Sequence, residues 1–242
     1  MNQQLKLQIN SFFDYWRERY QFIDNLDLIR NNYEANVLLW AAFDALSNLW
    51  ADSIIKNRKI KGKKLRFDAF LASYGGEIFQ IVSLPDIWDR VDKKSIELPP
   101  DVCTFLGQIG GRQEPGGIDI YQLRHSSDDC SSNKIIDTIL EKYPVTNVEA
   151  LEKSLKLSRY GSIAYKEMRN AYIHEESPGI NTHNFDLYES GIRPTYLSGL
   201  YVTPPAIGFK VEFMLNILKL CIDKFEKEAL SLKIDPIPER FK

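Results

Sequence analysis

Arg169-Asn170-Ala171-Tyr172-Ile173-His174 puts a permanent cation, an amide and an imidazole within six consecutive residues. A guanidinium grips a phosphate through paired N–H donors. A histidine exchanges a proton near neutral pH without special tuning. Together they suffice to cleave RNA by attack of its own 2'-hydroxyl. The imidazole moves the proton, the guanidinium carries the charge that builds on phosphorus, and no metal is needed.

Such chemistry needs a rigid support. Ser162 to Glu176 contains neither proline nor glycine, and Ala164, Met168, Ala171 and Tyr172 recur at helical spacing. At α-helical pitch these residues, with Tyr165, form one apolar side. Arg169 and His174 then fall about 70° to either side of the opposite direction. Lys166, Asn170 and Ile173 lie between them, so the motif is expected on a helix face turned away from the core. Ile173 is the apolar residue in that polar sector, which marks an interface position. Pro178 and Gly179 stop the helix. A stretch with strand character comes next over Tyr196 to Val202, and an amphipathic helix from about Gly208 to Leu230 ends the pattern.

Arginine, a polar residue, three residues and histidine resembles the Arg-x4-His motif of the HEPN superfamily of all-helical ribonucleases, toxins and RNA-processing domains. Motif helix, short excursion and terminal helix is also the order that resemblance implies. It implies a metal-independent endoribonuclease with Arg169 and His174 catalytic, yielding a 2',3'-cyclic phosphate and a 5'-hydroxyl. It further implies a homodimer joined through the motif helix at Ile173, and the setting of a toxin or antiphage effector with a cognate antitoxin. Many relatives instead use the same helices as a non-catalytic RNA-, nucleotide- or protein-binding module, and that alternative stays open. The pair also reads as a surface arginine and a histidine favoured by the helix dipole. Asn170 is open to orienting the imidazole, bonding a phosphate oxygen, or being a solvated residue.

The rest of the chain supplies the scaffold. Gln4 to Phe22 reads as a helix with Leu5, Ile9, Phe12, Phe13, Trp16 and Tyr20 on one face. A second runs from about Tyr33 to Ile55. Asp44 and Asn48 interrupt its apolar side among Trp40 and Leu49. A carboxylate there needs a partner, and an arginine on a facing helix is the expected one. The resemblance implies a polar residue on this early helix near the site, so Asp44 joins Asn170 as a supporting residue. Lys56, Arg58, Lys59, Lys61, Lys63, Lys64 and Arg66 put seven cations into eleven residues with no acid among them. This run reads either as an RNA-contacting patch or as a solvated loop. A helix from about Leu65 to Val82, with a bend or break at Gly75-Gly76, comes next. Residues 84–130, interrupted by Pro85, Pro99, Pro100, Pro115 and glycines, read as an irregular insertion with short helices or strands covering one side of the bundle, and Asp128-Asp129 within it as loop polarity. Short helices are expected at Ile135–Lys142 and Asn147–Leu155. The expected fold is all-α: a single domain over 1–242, an antiparallel bundle of about four main helices, with the insertion and a small hairpin.

Composition sets the outer limits. A net charge of −2 and a pI near 6.0 place any RNA contact in a local patch, since a protein that coats nucleic acid by bulk charge is basic. Cys103, Cys130 and Cys221 are odd in number and widely spaced, which fits reduced thiols in a cytoplasmic protein. His125, His174 and His183 are scattered, and neither a metal site nor another cofactor is expected. No apolar run approaches membrane-spanning length and the first residues lack a signal-peptide pattern, so no membrane partner is expected.

Overall fold

The computed structural model describes residues 1–55, 60–110, 124–143, 146–187, 189–199 and 202–238. Over these the chain is mostly helical, with a few short strands. α1 (Gln3–Asp24), α2 (Asn32–Ser53) and α3 (Lys63–Tyr74) come first, then β1 (Ile81–Val82), α4 (Leu84–Asp92) and α5 (Pro100–Ile109). After β2 (Cys130–Ser131) come α6 (Ser132–Lys142), α7 (Val148–Leu157) and the motif helix, which begins as α8 (Tyr160–Ile163) and ends as α9 (Asn170–His174). β3 (Thr182–His183), β4 (Thr195–Gly199), β5 (Val202–Gly208) and α10 (Val211–Leu232) complete the chain.

The longest helices form where the apolar periodicity puts them. Asn2 starts α1 by accepting the Gln4 N–H on its side chain at 3.0 Å. Ile9, Phe13 and Trp16 on α1, Leu39, Trp40 and Phe43 on α2, and Met214, Leu218 and Phe225 on α10 are buried in one core. Phe225 is its hub: its ring centroid lies 5.1 Å from Phe13, 6.2 Å from Phe70 and 6.0 Å from Tyr74. Burying each such side chain stabilises the fold by roughly 1.5–3 kcal/mol, which outweighs any surface ion pair.

α3 takes the break, rather than the bend, expected at Gly75-Gly76. It stops at Gly75, and Gly76 takes a φ of +94°, open to glycine at no cost. A short 3-10 turn over Glu77–Gln80 then leads into β1.

The segment 84–130 carries the short helices expected of it where it is described, and its prolines set where they begin. Ser83 caps α4 by accepting the Asp86 N–H at 3.2 Å, and Pro85 occupies the first turn behind that cap. Pro100 begins α5 in the same way. The prolines that resembled breakers sit where a helix has no use for an N–H. Val82, Leu84, Ile87, Trp88, Val102 and Leu106 pack with Ile135, Ile139, Leu151 and Leu155 of α6 and α7 into a second apolar cluster. Pro115 lies outside the described residues.

Asp129 corrects the expectation of loop polarity. Its carboxylate is buried and joins the two cores. One oxygen accepts the Leu84 N–H at 3.2 Å and pairs with Arg124. The other accepts the Tyr160 hydroxyl at 2.7 Å and the Tyr196 hydroxyl at 2.5 Å. Tyr196 also bonds the Ser83 Oγ at 2.8 Å. Burial pushes both phenols well above their ordinary pKa, and neighbouring Asp129 adds to it, so both remain proton donors.

The expected hairpin is part of a three-stranded sheet in the order β3-β5-β4. β4 runs antiparallel to β5 and β3 parallel to it. Its register slips between Leu197 and Gly199, opposite Pro204 and Pro205, which cannot donate to the ladder.

Candidate active site

The motif helix is not wound uniformly. Tyr160–Ile163 is α-helical, Ala164–Arg169 is π-helical, and Asn170–His174 returns to α. The apolar side is as the spacing predicts, with Ala164, Met168, Ala171 and Tyr172 all buried. The wider π turn changes the phase of the residues after it, and such turns are frequent at functional sites. Here the return chain caps it: the Glu167 carbonyl accepts the Gly179 N–H at 2.6 Å and the Thr182 hydroxyl at 3.3 Å. Gly179 permits this approach because a Cβ there would collide with a Glu167 carboxylate oxygen.

Arg169 consequently points inward, against the expectation that it faces away from the core. Its Nη2 donates to Asp44 Oδ2 at 2.7 Å, and the side chains are only 14% and 17% exposed. Asp44 therefore finds the arginine that a carboxylate on an apolar helix side requires. Nη1 donates to Asn170 Oδ1 at 2.9 Å, and the guanidinium carbon lies 5.4 Å from the Tyr165 ring centroid. Nε is buried without a partner among the described residues. A guanidinium has five N–H bonds. These contacts leave one N–H on each terminal nitrogen, the fork that grips a phosphate. Asn170 thus orients the arginine with its oxygen, and its amide nitrogen is left for other partners.

His174 is exposed at the last position of α9, and Ile173 beside it is 37% exposed. From Arg169 to His174 is five steps of about 100°, which separates the two side chains by roughly 140° around the axis. Tyr172 is core, as its spacing predicts. Its hydroxyl accepts the Asn184 amide at 3.2 Å and its ring lies 6.4 Å from that of Tyr33.

The basic run is not uniform either. Arg66 is compensated, pairing with Asp52 on the preceding helix at 2.9 Å, which corrects its place among free cations. Lys61 and Lys63 are exposed and Lys64 is half-buried. Lys56, Arg58 and Lys59 lie outside the described residues.

His183 has a structural place that its polar surroundings in sequence concealed. It is buried in β3 against Gly208, and its Nε2 faces the Thr195 carbonyl at 3.0 Å, which makes that nitrogen the donor. Burial lowers its pKa, and the Thr195 bond opposes this in part. The unfolded chain takes up this proton at about 6.5 and the folded one only further down. Stability is therefore expected to fall as pH drops below about 6.5, and this loss stops at the folded value. A pH series of NMR spectra should show the His183 ring still neutral where an ordinary histidine is half-protonated.

No group of three or more His, Cys, Asp or Glu residues is placed to hold a metal ion among the described residues, and no helix there is long and apolar enough to cross a membrane. No protein-family model, curated protein or solved structure matches the chain.

Proposed function

We propose that the chain is a HEPN-like, metal-independent endoribonuclease, an antiparallel bundle of about four main helices that works as a homodimer. The observation that carries this reading is the Arg169 guanidinium: Asp44, Asn170 and Tyr165 orient it while an N–H remains on each terminal nitrogen. His174 takes the proton of the RNA 2'-hydroxyl or gives one to the leaving 5'-oxygen. Arg169 carries the charge of the pentacoordinate phosphorus. The 2'-hydroxyl is the nucleophile, so DNA is spared. With the two side chains about 140° apart, one chain does not aim both at one point. Two chains joined through the exposed Ile173 face would, each lending a histidine near the other's arginine. A toxin or antiphage effector held by a cognate antitoxin is the setting this reading suggests.

One observation favours the non-catalytic binding module: Arg169 is already charge-compensated by Asp44. Incubating total cellular RNA with the protein in excess EDTA separates the two. The ribonuclease is expected to cleave, and His174→Ala to lose cleavage with its fold and oligomeric state intact. A folded wild type that leaves the RNA whole, or a His174→Ala variant that cuts as well as wild type, would sink the catalytic reading.

A further inference from the structure

Tyr165 carries a hydroxyl that the fold does not use. The four buried tyrosines, Tyr74, Tyr160, Tyr172 and Tyr196, each bond their hydroxyl inside the protein. A tyrosine seated against a core normally finds its polar tip a partner in this way. Tyr165 is half-buried and packs on the core, yet its hydroxyl makes no hydrogen bond among the described residues and stays open to solvent.

Its ring is fixed by direct contacts. Phe67 of α3, fully buried, meets it edge-on with centroids 5.2 Å apart. The Arg169 guanidinium carbon lies over the ring, 5.4 Å from its centre. Both residues belong to the π-helical segment Ala164–Arg169, four positions apart. The guanidinium is held in turn by Asp44 and Asn170. The tip of Tyr165 and the free N–H groups of Arg169 therefore have set positions beside each other. Burial raises the phenol's pKa most, Arg169 lowers it and Asp44 raises it, so this hydroxyl feels both charges of the pair and remains a proton donor at neutral pH.

We propose that the Tyr165 hydroxyl is a substrate contact, donating to a non-bridging oxygen of the phosphate held by Arg169. The assignment deepens the RNA-directed reading of the site and rests on it, but does not require cleavage. The phenol is a neutral donor, so it adds direction to the grip on the phosphate without adding charge to it.

That neutrality gives the test its signature. The probe is a fluorescent 2'-O-methyl oligoribonucleotide, which offers backbone phosphates but no 2'-hydroxyl to attack. Its binding is followed by anisotropy over a salt series. Tyr165→Phe keeps both ring contacts and should fold with an unchanged denaturation midpoint. It is expected to weaken binding roughly 3- to 15-fold, the effect of a hydrogen bond to a charged group that water partly replaces, with the salt slope unchanged. Arg169→Gln should instead lower affinity and slope together, the slope by about 0.7, the share of one phosphate contact on a single strand. Tyr172→Phe, which loses the Asn184 bond in the core, should lower the midpoint and leave binding alone. Wild-type affinity in a folded Tyr165→Phe protein overturns the contact. A lowered midpoint with wild-type binding also overturns it, since the hydroxyl would then serve the second Asp44 oxygen, which is buried without a partner among the described residues. So does a wild type that binds inorganic pyrophosphate but not the oligonucleotide. A wild type that binds the probe in a Tyr165-dependent way but cleaves no RNA upholds the contact and rejects only the nuclease.

Discussion

Asp129→Ala is expected to cost about 3–5 kcal/mol, the range for removing one partner of a buried charge pair. The substitution strands Arg124, whose side chain is 14% exposed, and leaves the Leu84 N–H and the Tyr160 hydroxyl without their acceptor. Tyr196 keeps its bond to Ser83 and loses less. Against a typical domain stability of about 5–15 kcal/mol this is a large fraction. The loss should be uneven. Leu84 begins α4 and Tyr160 begins the motif helix, so the bond between the two apolar clusters is what fails. Chemical denaturation should show a lower midpoint, and hydrogen exchange should quicken in α4 before α1 or α10. Asp129→Leu combined with Arg124→Met removes both charges and should recover much of the loss. A cost of Asp129→Ala below about 1 kcal/mol would mean that water, not the fold, satisfies this carboxylate.

The contrast between Asp129 and Asp44 shows what the sequence made legible. Asp44 lies on a long periodic helix, so its position on an apolar side was visible and with it the need for an arginine. Asp129 comes after Ser126-Ser127-Asp128 and precedes Cys130, a local pattern that reads as a turn. Its partners come from residues as distant as Leu84 and Tyr196, and no periodicity links them. The helices α1, α2, α6, α7 and α10 were legible to within a few residues because each has a stripe to bury. α4 and α5 were hidden by prolines, which mark a helix start as readily as a break. Within the candidate site, residue types and spacing singled out Arg169, Asn170, His174 and Asp44 and the need of Asp44 for an arginine, but not the inward turn of Arg169. That turn comes with a π segment, and a uniform step per residue does not anticipate it. Arg66 was visible only as one of seven cations, and its pairing with Asp52 is a tertiary fact.

The Arg169–Asp44 pair allows stability and catalysis to be separated. On the proposed ribonuclease reading, Arg169→Ala is expected to lower kcat by about 10²–10³, the range for removing one donor to a developing oxyanion. It also leaves Asp44, 17% exposed, without its cation, and should cost about 2–3 kcal/mol, somewhat below the range for a fully buried pair. Asp44→Ala should cost a similar amount, with kcat falling only about tenfold. There the guanidinium is present but loses part of its orientation, making Asp44 a positioning residue. The two changes combined should recover most of the stability, because no charge is left unpaired. They should not recover kcat, because the group proposed to meet the phosphate is gone. Asp44→Asn keeps an acceptor for Nη2 and is expected to cleave nearly as wild type, with KM little changed. Denaturation midpoints and single-turnover cleavage of one defined RNA read both quantities on the same proteins. If the double variant regained cleavage along with stability, Arg169 would be there only to neutralise Asp44, and the phosphate would have to be held by another cation.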